Sequence, residues 1–104
     1  DRIACDFPDL VLIGTHTGYP WVDEMLAVAN KWPNVYVNIA AWLPKYFGPN
    51  LIQFVKGRNT HRKVLFGSNG LDWSRYLHEF EKLGVQEERA EAILWQNARQ
   101  VHSV

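Results

Sequence analysis

The sequence holds a single cysteine, Cys5, among 104 residues. No disulfide can form within the chain, and a reducing compartment suits it best. Net charge is missing too, since eleven Lys and Arg are balanced by eleven Asp and Glu. These charges are scattered and form no basic stripe, which argues against a nucleic-acid partner. No apolar run approaches the roughly 20 residues that a membrane-spanning helix needs. Asp1-Arg2 leads directly into mixed sequence, without the pattern of a secretory signal, so the expected location is cytoplasmic. HxH, HExxH, CxxC, G-x-S-x-G, P-loop and GxGxxG patterns are all absent. Each of those motifs carries a defined chemistry, and none of that chemistry is signalled here.

What is present is a core-forming composition. Hydrophobic residues make up 47% of the chain and aromatics 13%, including five Trp. A chain of this length makes one domain at most and removes roughly 65% of its unfolded surface from water. Three short apolar runs each end on polar residues: LVLIGTH (10–16), VYVNIA (35–40) and KVLFGSN (63–69). An unbroken apolar run reads as a strand covered on both faces. Strands are therefore expected at about 10–16, 35–40 and 63–68.

Helical patterns separate these runs. Pro20 stands where a first helical residue belongs, and Val22, Met25, Leu26 and Ala29 follow at helical spacing. Trp32-Pro33-Asn34 ends that helix. A short helix is expected over Leu51–Val55, and a longer one lined by Trp73, Tyr76, Leu77, Phe80 and Leu83, closed by Gly84. The last helix runs from about Glu87 to Val101, with Ala90, Ile93, Leu94, Ala98 and Val101 inward. Strands joined by helices lie parallel with right-handed crossovers, so their C-terminal ends share one rim. The fold class is α/β, with three consecutive parallel β-α units and a C-terminal helix. Three strands alone leave two unpaired edges, which something must cover.

The rim is where parallel α/β folds place their chemistry. His16 closes the first strand there, and imidazole is both a neutral-pH acid/base and a common metal ligand. A buried histidine bonded to backbone is the plainer alternative. Asn69 closes the third strand before Gly70, where Asn also serves as a turn residue. Its amide can bind a carbonyl or carboxylate but cannot act as a base. Asp72 precedes Trp73-Ser74 and reads first as a helix N-cap. His61 lies in a polar turn with Arg58, Asn59, Thr60 and Arg62, and is expected in solvent. His78 and His102 have no partner at ligand spacing.

Several segments together resemble one family. Phe7-Pro8-Asp9-Leu10 and Gly14-Thr15-His16-Thr17-Gly18-Tyr19-Pro20-Trp21 resemble the FPDL…GHxGxPW segment of the amidohydrolase 2 family. Trp32-Pro33-Asn34-Val35-Tyr36 is similar to its HPNVY, and Lys63-Val64-Leu65-Phe66-Gly67-Ser68-Asn69 to its KVLFGSD. Ile93-Leu94-Trp95-Gln96-Asn97-Ala98-Arg99 is similar to its ILxxNAxR helix. The likeness covers essentially the whole chain, in order.

This resemblance implies a (β/α)8 TIM barrel whose sixth, seventh and eighth strands are the three found here, so that 1–104 is a single partial barrel domain. It further implies a metal-dependent hydrolase or non-oxidative decarboxylase, with zinc or manganese at the C-terminal rim of the complete barrel. His16 matches a histidine that acts beside the metal. Asn69 stands where the family has a metal-binding aspartate, and so represents a weakened metal position. Tyr19 and Trp42 are expected to wall the substrate pocket. The HxH of the first strand and the histidine of the fifth have no counterpart, which makes the chain a C-terminal fragment on this reading. Two function classes follow: hydrolysis of a C–N or C–O bond in a small organic substrate (or its decarboxylation) within a complete barrel, or an inert segment that persists by self-association. The expected partners are thus a small molecule and either the remainder of the barrel or further copies of the chain.

Overall fold

The computed structural model describes residues 2–39, 43–67 and 73–102. Its framework is a sheet of three parallel strands in chain order: β1 (Leu12–Gly14), β2 (Val35–Asn38) and β3 (Val64–Leu65). Leu12 pairs with Val35, Ile13 with Tyr36 and Gly14 with Val37, while Val37 and Asn38 pair with Val64 and Leu65. Helix α1 (Arg2–Asp6) precedes the sheet, α2 (Val22–Lys31) joins β1 to β2, and α3 (Pro49–Lys56) lies between β2 and β3. After β3 come α4 (Trp73–Glu81) and a continuous helical stretch made of α5 (Glu87–Glu91), a π-helical turn (Ala92–Gln96) and α6 (Asn97–His102).

The parallel order and helical crossovers agree with the sequence reading, and the strands are shorter than the apolar runs. β1 stops at Gly14 because the next four residues coil into a 3-10 turn. Lys63 belongs to a 3-10 turn, Thr60–Lys63, rather than to β3. Pro20 does not begin α2: Trp21 caps it, and the Met25 N–H donates to the Trp21 carbonyl at 3.0 Å. α3 starts earlier than expected, with Pro49 in its first turn, where a missing N–H costs nothing.

Helix-facing residues alternate along β2. Val35, Val37 and Ile39 are at most 2% exposed and belong to the core cluster, which leaves Tyr36 and Asn38 on the opposite face. Leu26 and Ala29 of α2, Leu51, Phe54 and Val55 of α3, and Tyr76 and Phe80 of α4 complete that core. Each such aliphatic or aromatic side chain stabilises by roughly 1.5–3 kcal/mol when taken fully out of water. The Cα radius of gyration is 12.9 Å. A 104-residue chain packed as one body has roughly this value.

Buried amides fasten the units together. Asn34, at the foot of β2, directs Nδ2 at the carbonyls of Leu10 (2.8 Å), Phe7 (3.2 Å) and Ala4 (3.4 Å), tying the segment before β1 to the sheet. Asn97 donates to the carbonyls of His61 (2.8 Å) and Val64 (2.7 Å), tying the last helix to β3. The Lys63 ammonium donates to the carbonyls of Trp32 and Pro33 and lies 4.5 Å from the centre of the Tyr36 ring. Partial burial pulls it below the ordinary lysine value.

Tyr76 is fully buried. It donates its hydroxyl to the Ile39 carbonyl at 2.7 Å and meets Phe66 edge-on, with ring centres 4.9 Å apart. Burial raises its pKa above the usual tyrosine range. The folded state therefore keeps a proton that the unfolded chain releases above about pH 10, so this contribution is full below that pH and is lost as pH rises further. Replacing Tyr76 by Phe is expected to cost about 1–3 kcal/mol at neutral pH, because the Ile39 carbonyl loses its donor. It should also flatten the alkaline fall in stability. Urea unfolding at about pH 7 and pH 10.5 checks both effects.

Candidate active site

The C-terminal ends of the three strands form one rim, as parallel pairing requires. β1 leaves it through the 3-10 turn Thr15–Gly18, whose backbone is left-handed at three successive positions: φ is 53° at His16, 56° at Thr17 and 74° at Gly18. Glycine adopts this region freely, and other residues pay roughly 1–2 kcal/mol each. A β-branched residue such as Thr17 is an outlier there.

The surroundings hold the turn in place. Thr17 is 3% exposed and its hydroxyl donates to the His16 carbonyl at 2.6 Å. The N–H of Tyr19 also reaches that carbonyl, at 3.1 Å. A Cβ on Gly18 would stand 2.7 Å from Cβ of Met25, so only glycine lets the turn lie against α2. Burying Thr17 turns its predecessor outward, and His16 is exposed at the rim. Strained backbone of this kind clusters at active sites, ligand clamps and switch regions.

The other sequence candidates distribute as follows. Tyr19 is 64% exposed on the same loop and lines a cleft with Thr17. Trp42, Asn69 and Asp72 lie outside the described residues. His78 is exposed on α4. His61, expected in solvent, is 8% exposed instead. Its Nδ1 lies 2.8 Å from the Gly57 carbonyl, an acceptor only, so the ring carries its proton on Nδ1 and serves the fold. The polar neighbours in sequence concealed this, because Arg58, Asn59 and Arg62 take the solvent side.

Asn38 was not singled out from the sequence, although it is the polar residue in an otherwise apolar run. It ends β2 at the rim, on the face that Ile13 and Leu65 share by register, opposite the Val35, Val37 and Ile39 core face. Because Gly14 pairs with Val37, the loop bearing His16 and the end of β2 bearing Asn38 spring from adjacent strand ends.

The rim thus presents an imidazole and an amide, groups suited to moving a proton and to orienting a carbonyl or carboxylate. A metal needs more. Among the described residues, no three His, Cys, Asp or Glu side chains lie together to hold one. His16 offers a single donor, too few for the four-coordinate or octahedral shells of divalent ions, so the described residues do not fit a complete metal site. Among these residues, no helix is long and apolar enough to cross a membrane.

Comparison with known proteins agrees with this geometry. The fold matches an uncharacterised TIM-barrel protein from Bordetella bronchiseptica with a TM-score of 0.83 and 30% identity, over 98% of this chain and 37% of that one. It also matches an amidohydrolase 2 from Bifidobacterium longum subsp. infantis with a TM-score of 0.66 and 24% identity, over 99% of this chain and 44% of that one. The chain therefore spans less than half the length of either barrel. No protein of curated function matches the sequence. The amidohydrolase family model Amidohydro_2 matches residues 1–102. The three parallel units are part of a TIM barrel, and the chain belongs to the amidohydrolase family.

Proposed function

We propose that this chain forms three units of the active-site wall of a metal-dependent hydrolase that cleaves a C–N or C–O bond in a small organic substrate. The observation that carries this reading is His16, exposed at the strand rim on a left-handed turn that the fold holds at a cost. Family membership supports the reaction class, since amidohydrolases are generally metal-dependent. Zinc or manganese is the cofactor this reading takes for the complete barrel, and its remaining ligands come from beyond the described residues.

The part played by this chain's own residues is proton handling and orientation. The neutral imidazole of His16 accepts a proton from the attacking water as its oxygen bonds to the scissile carbon. The resulting imidazolium then returns that proton to the departing nitrogen or oxygen. Asn38 and, by resemblance, Asn69 supply neutral amides that orient the substrate carbonyl, with Tyr19 and Trp42 as pocket walls. Completion of the barrel, by the remaining β-α units or by further copies of the chain, is part of this proposal. Exposed Ile3 (58%), Phe7 (59%), Leu10 (49%), Val11 (43%) and Trp21 (67%) favour such a covering, because they flank the open edge of β1.

Native mass spectrometry on the purified chain without chelator, paired with turnover assays on aryl esters, anilides and lactones, tests the proposal. Turnover is expected only in assembled species that hold stoichiometric zinc or manganese, and the monomer should be silent. Turnover by a metal-free monomer would overturn the need for completion. An assembled, metal-loaded species that cleaves none of these substrates would overturn hydrolysis. Release of CO2 from small carboxylic acids by that species would establish the decarboxylase instead.

A further inference from the structure

The cleft lined by Thr17 and Tyr19 lies between the N-terminal turns of α2 and α3. It encloses about 300 Å³ and is lined by Tyr19, Val22, Asp23, Tyr46, Phe47 and Asn50, with His16 absent from its walls. A volume of this order suits a small ligand. Its floor is apolar: Phe47 is 7% exposed, and Leu51 beside it 4%. Two tyrosines from different loops stand at its sides, Tyr19 at 64% and Tyr46 at 65% exposure.

The polar groups have one sign. Asp23 is the ionisable acid of the lining, and Asn50 donates Nδ2–H to its Oδ1 at 3.2 Å. That bond spans the two helices and fixes the carboxylate without neutralising it. Among the described residues no cationic side chain lines the cleft. The Lys45 ammonium lies 5.1 Å from the centre of the Tyr46 ring, so a bound cation must displace it or use the ring's other face. Aromatic walls, an apolar floor and one fixed carboxylate are the combination that recognises an alkylated ammonium group.

We infer that this cleft binds a small organic monocation, a quaternary or alkyl ammonium group whose carbons rest on Phe47 and whose charge faces Asp23 between Tyr19 and Tyr46. Thr17 and Tyr19 join the cleft to the turn that carries His16, but His16 does not line it, so binding there is read independently of turnover.

Choline and its uncharged carbon isostere 3,3-dimethylbutan-1-ol are the probes, titrated into the isotopically labelled chain and followed by amide NMR shifts. Choline should produce saturable shifts centred on Asp23, Tyr46 and Asn50, and bind several-fold more tightly than the isostere. Asp23→Asn should weaken choline by roughly two- to fivefold, the range for an exposed charge pair, and leave the isostere unchanged. Tyr46→Leu should weaken choline by a similar factor, as expected for one exposed cation–π contact. Both side chains are exposed, so the variants should melt with the wild type. Equal binding of choline and the isostere, or choline binding that survives Asp23→Asn undiminished, would overturn the inference. So would the absence of saturable shifts at these residues.

Discussion

Replacing His16 by alanine is expected to reduce turnover of the assembled, metal-loaded protein by about 10²–10⁴-fold, the usual contribution of a positioned general acid/base. Stability should hardly change, because the side chain is exposed and alanine meets the same left-handed backbone cost. Glycine at this position separates the two roles further. It relieves roughly 1–2 kcal/mol of backbone strain and adds roughly 0.5–1 kcal/mol of unfolded-chain freedom, so His16→Gly should fold as well as the wild type or slightly better. A variant that gains stability and loses turnover shows that the strain is kept for the imidazole. Turnover that survives both substitutions would leave His16 a surface residue and remove the basis for the hydrolase reading.

The largest effect on stability is expected at Asn97. Its side chain is nearly enclosed, at 6% exposure, and one amide nitrogen serves two buried carbonyls, those of His61 and Val64. Asn97→Ala removes the side-chain donor from both, although the His61 carbonyl keeps the Val64 N–H. The change should cost about 2–4 kcal/mol, since an unsatisfied buried acceptor costs about 1–3 and a further lost hydrogen bond about 0.5–1.5. Asn97→Asp is the sharper variant. It preserves shape but sets a carboxylate against two carbonyl oxygens, all of them acceptors, and should destabilise at least as much as alanine. Urea midpoints decide between the explanations. If the aspartate variant unfolds within about 0.5 kcal/mol of the wild type, packing rather than hydrogen bonding accounts for this residue. The loss matters for function because Val64 belongs to β3, whose chain continues to Asn69.

Much of the fold was legible because it follows from local chemistry. Val35, Val37 and Ile39 alternate with polar or bulkier residues, and the helical spacing in α2 and α4 names the side chains that became core, Leu26, Ala29, Tyr76 and Phe80. The motifs behind the family resemblance were legible as strings, but their work was not. Asn34 and Asn97 both lie in such strings, and both proved to be amide clamps on backbone carbonyls rather than groups of the site. Periodicity passed over Asn97 because a polar residue is assumed to face water, whereas a carbonyl that needs a donor can draw it inward. His61 misled for the same reason.

The sequence by itself determined the order of elements, their parallel arrangement and the family, because strand and helix periods, turn residues and motif strings are local properties of the chain. Tertiary structure decided what each polar group does. Burial of Thr17 against the core displays His16, the carbonyls of Leu10, His61 and Val64 claim Asn34 and Asn97, and the meeting of two loops sets Tyr19 and Tyr46 around Asp23. None of these outcomes is local. Each depends on which acceptor, cavity or apolar surface the rest of the fold brings within a few ångströms.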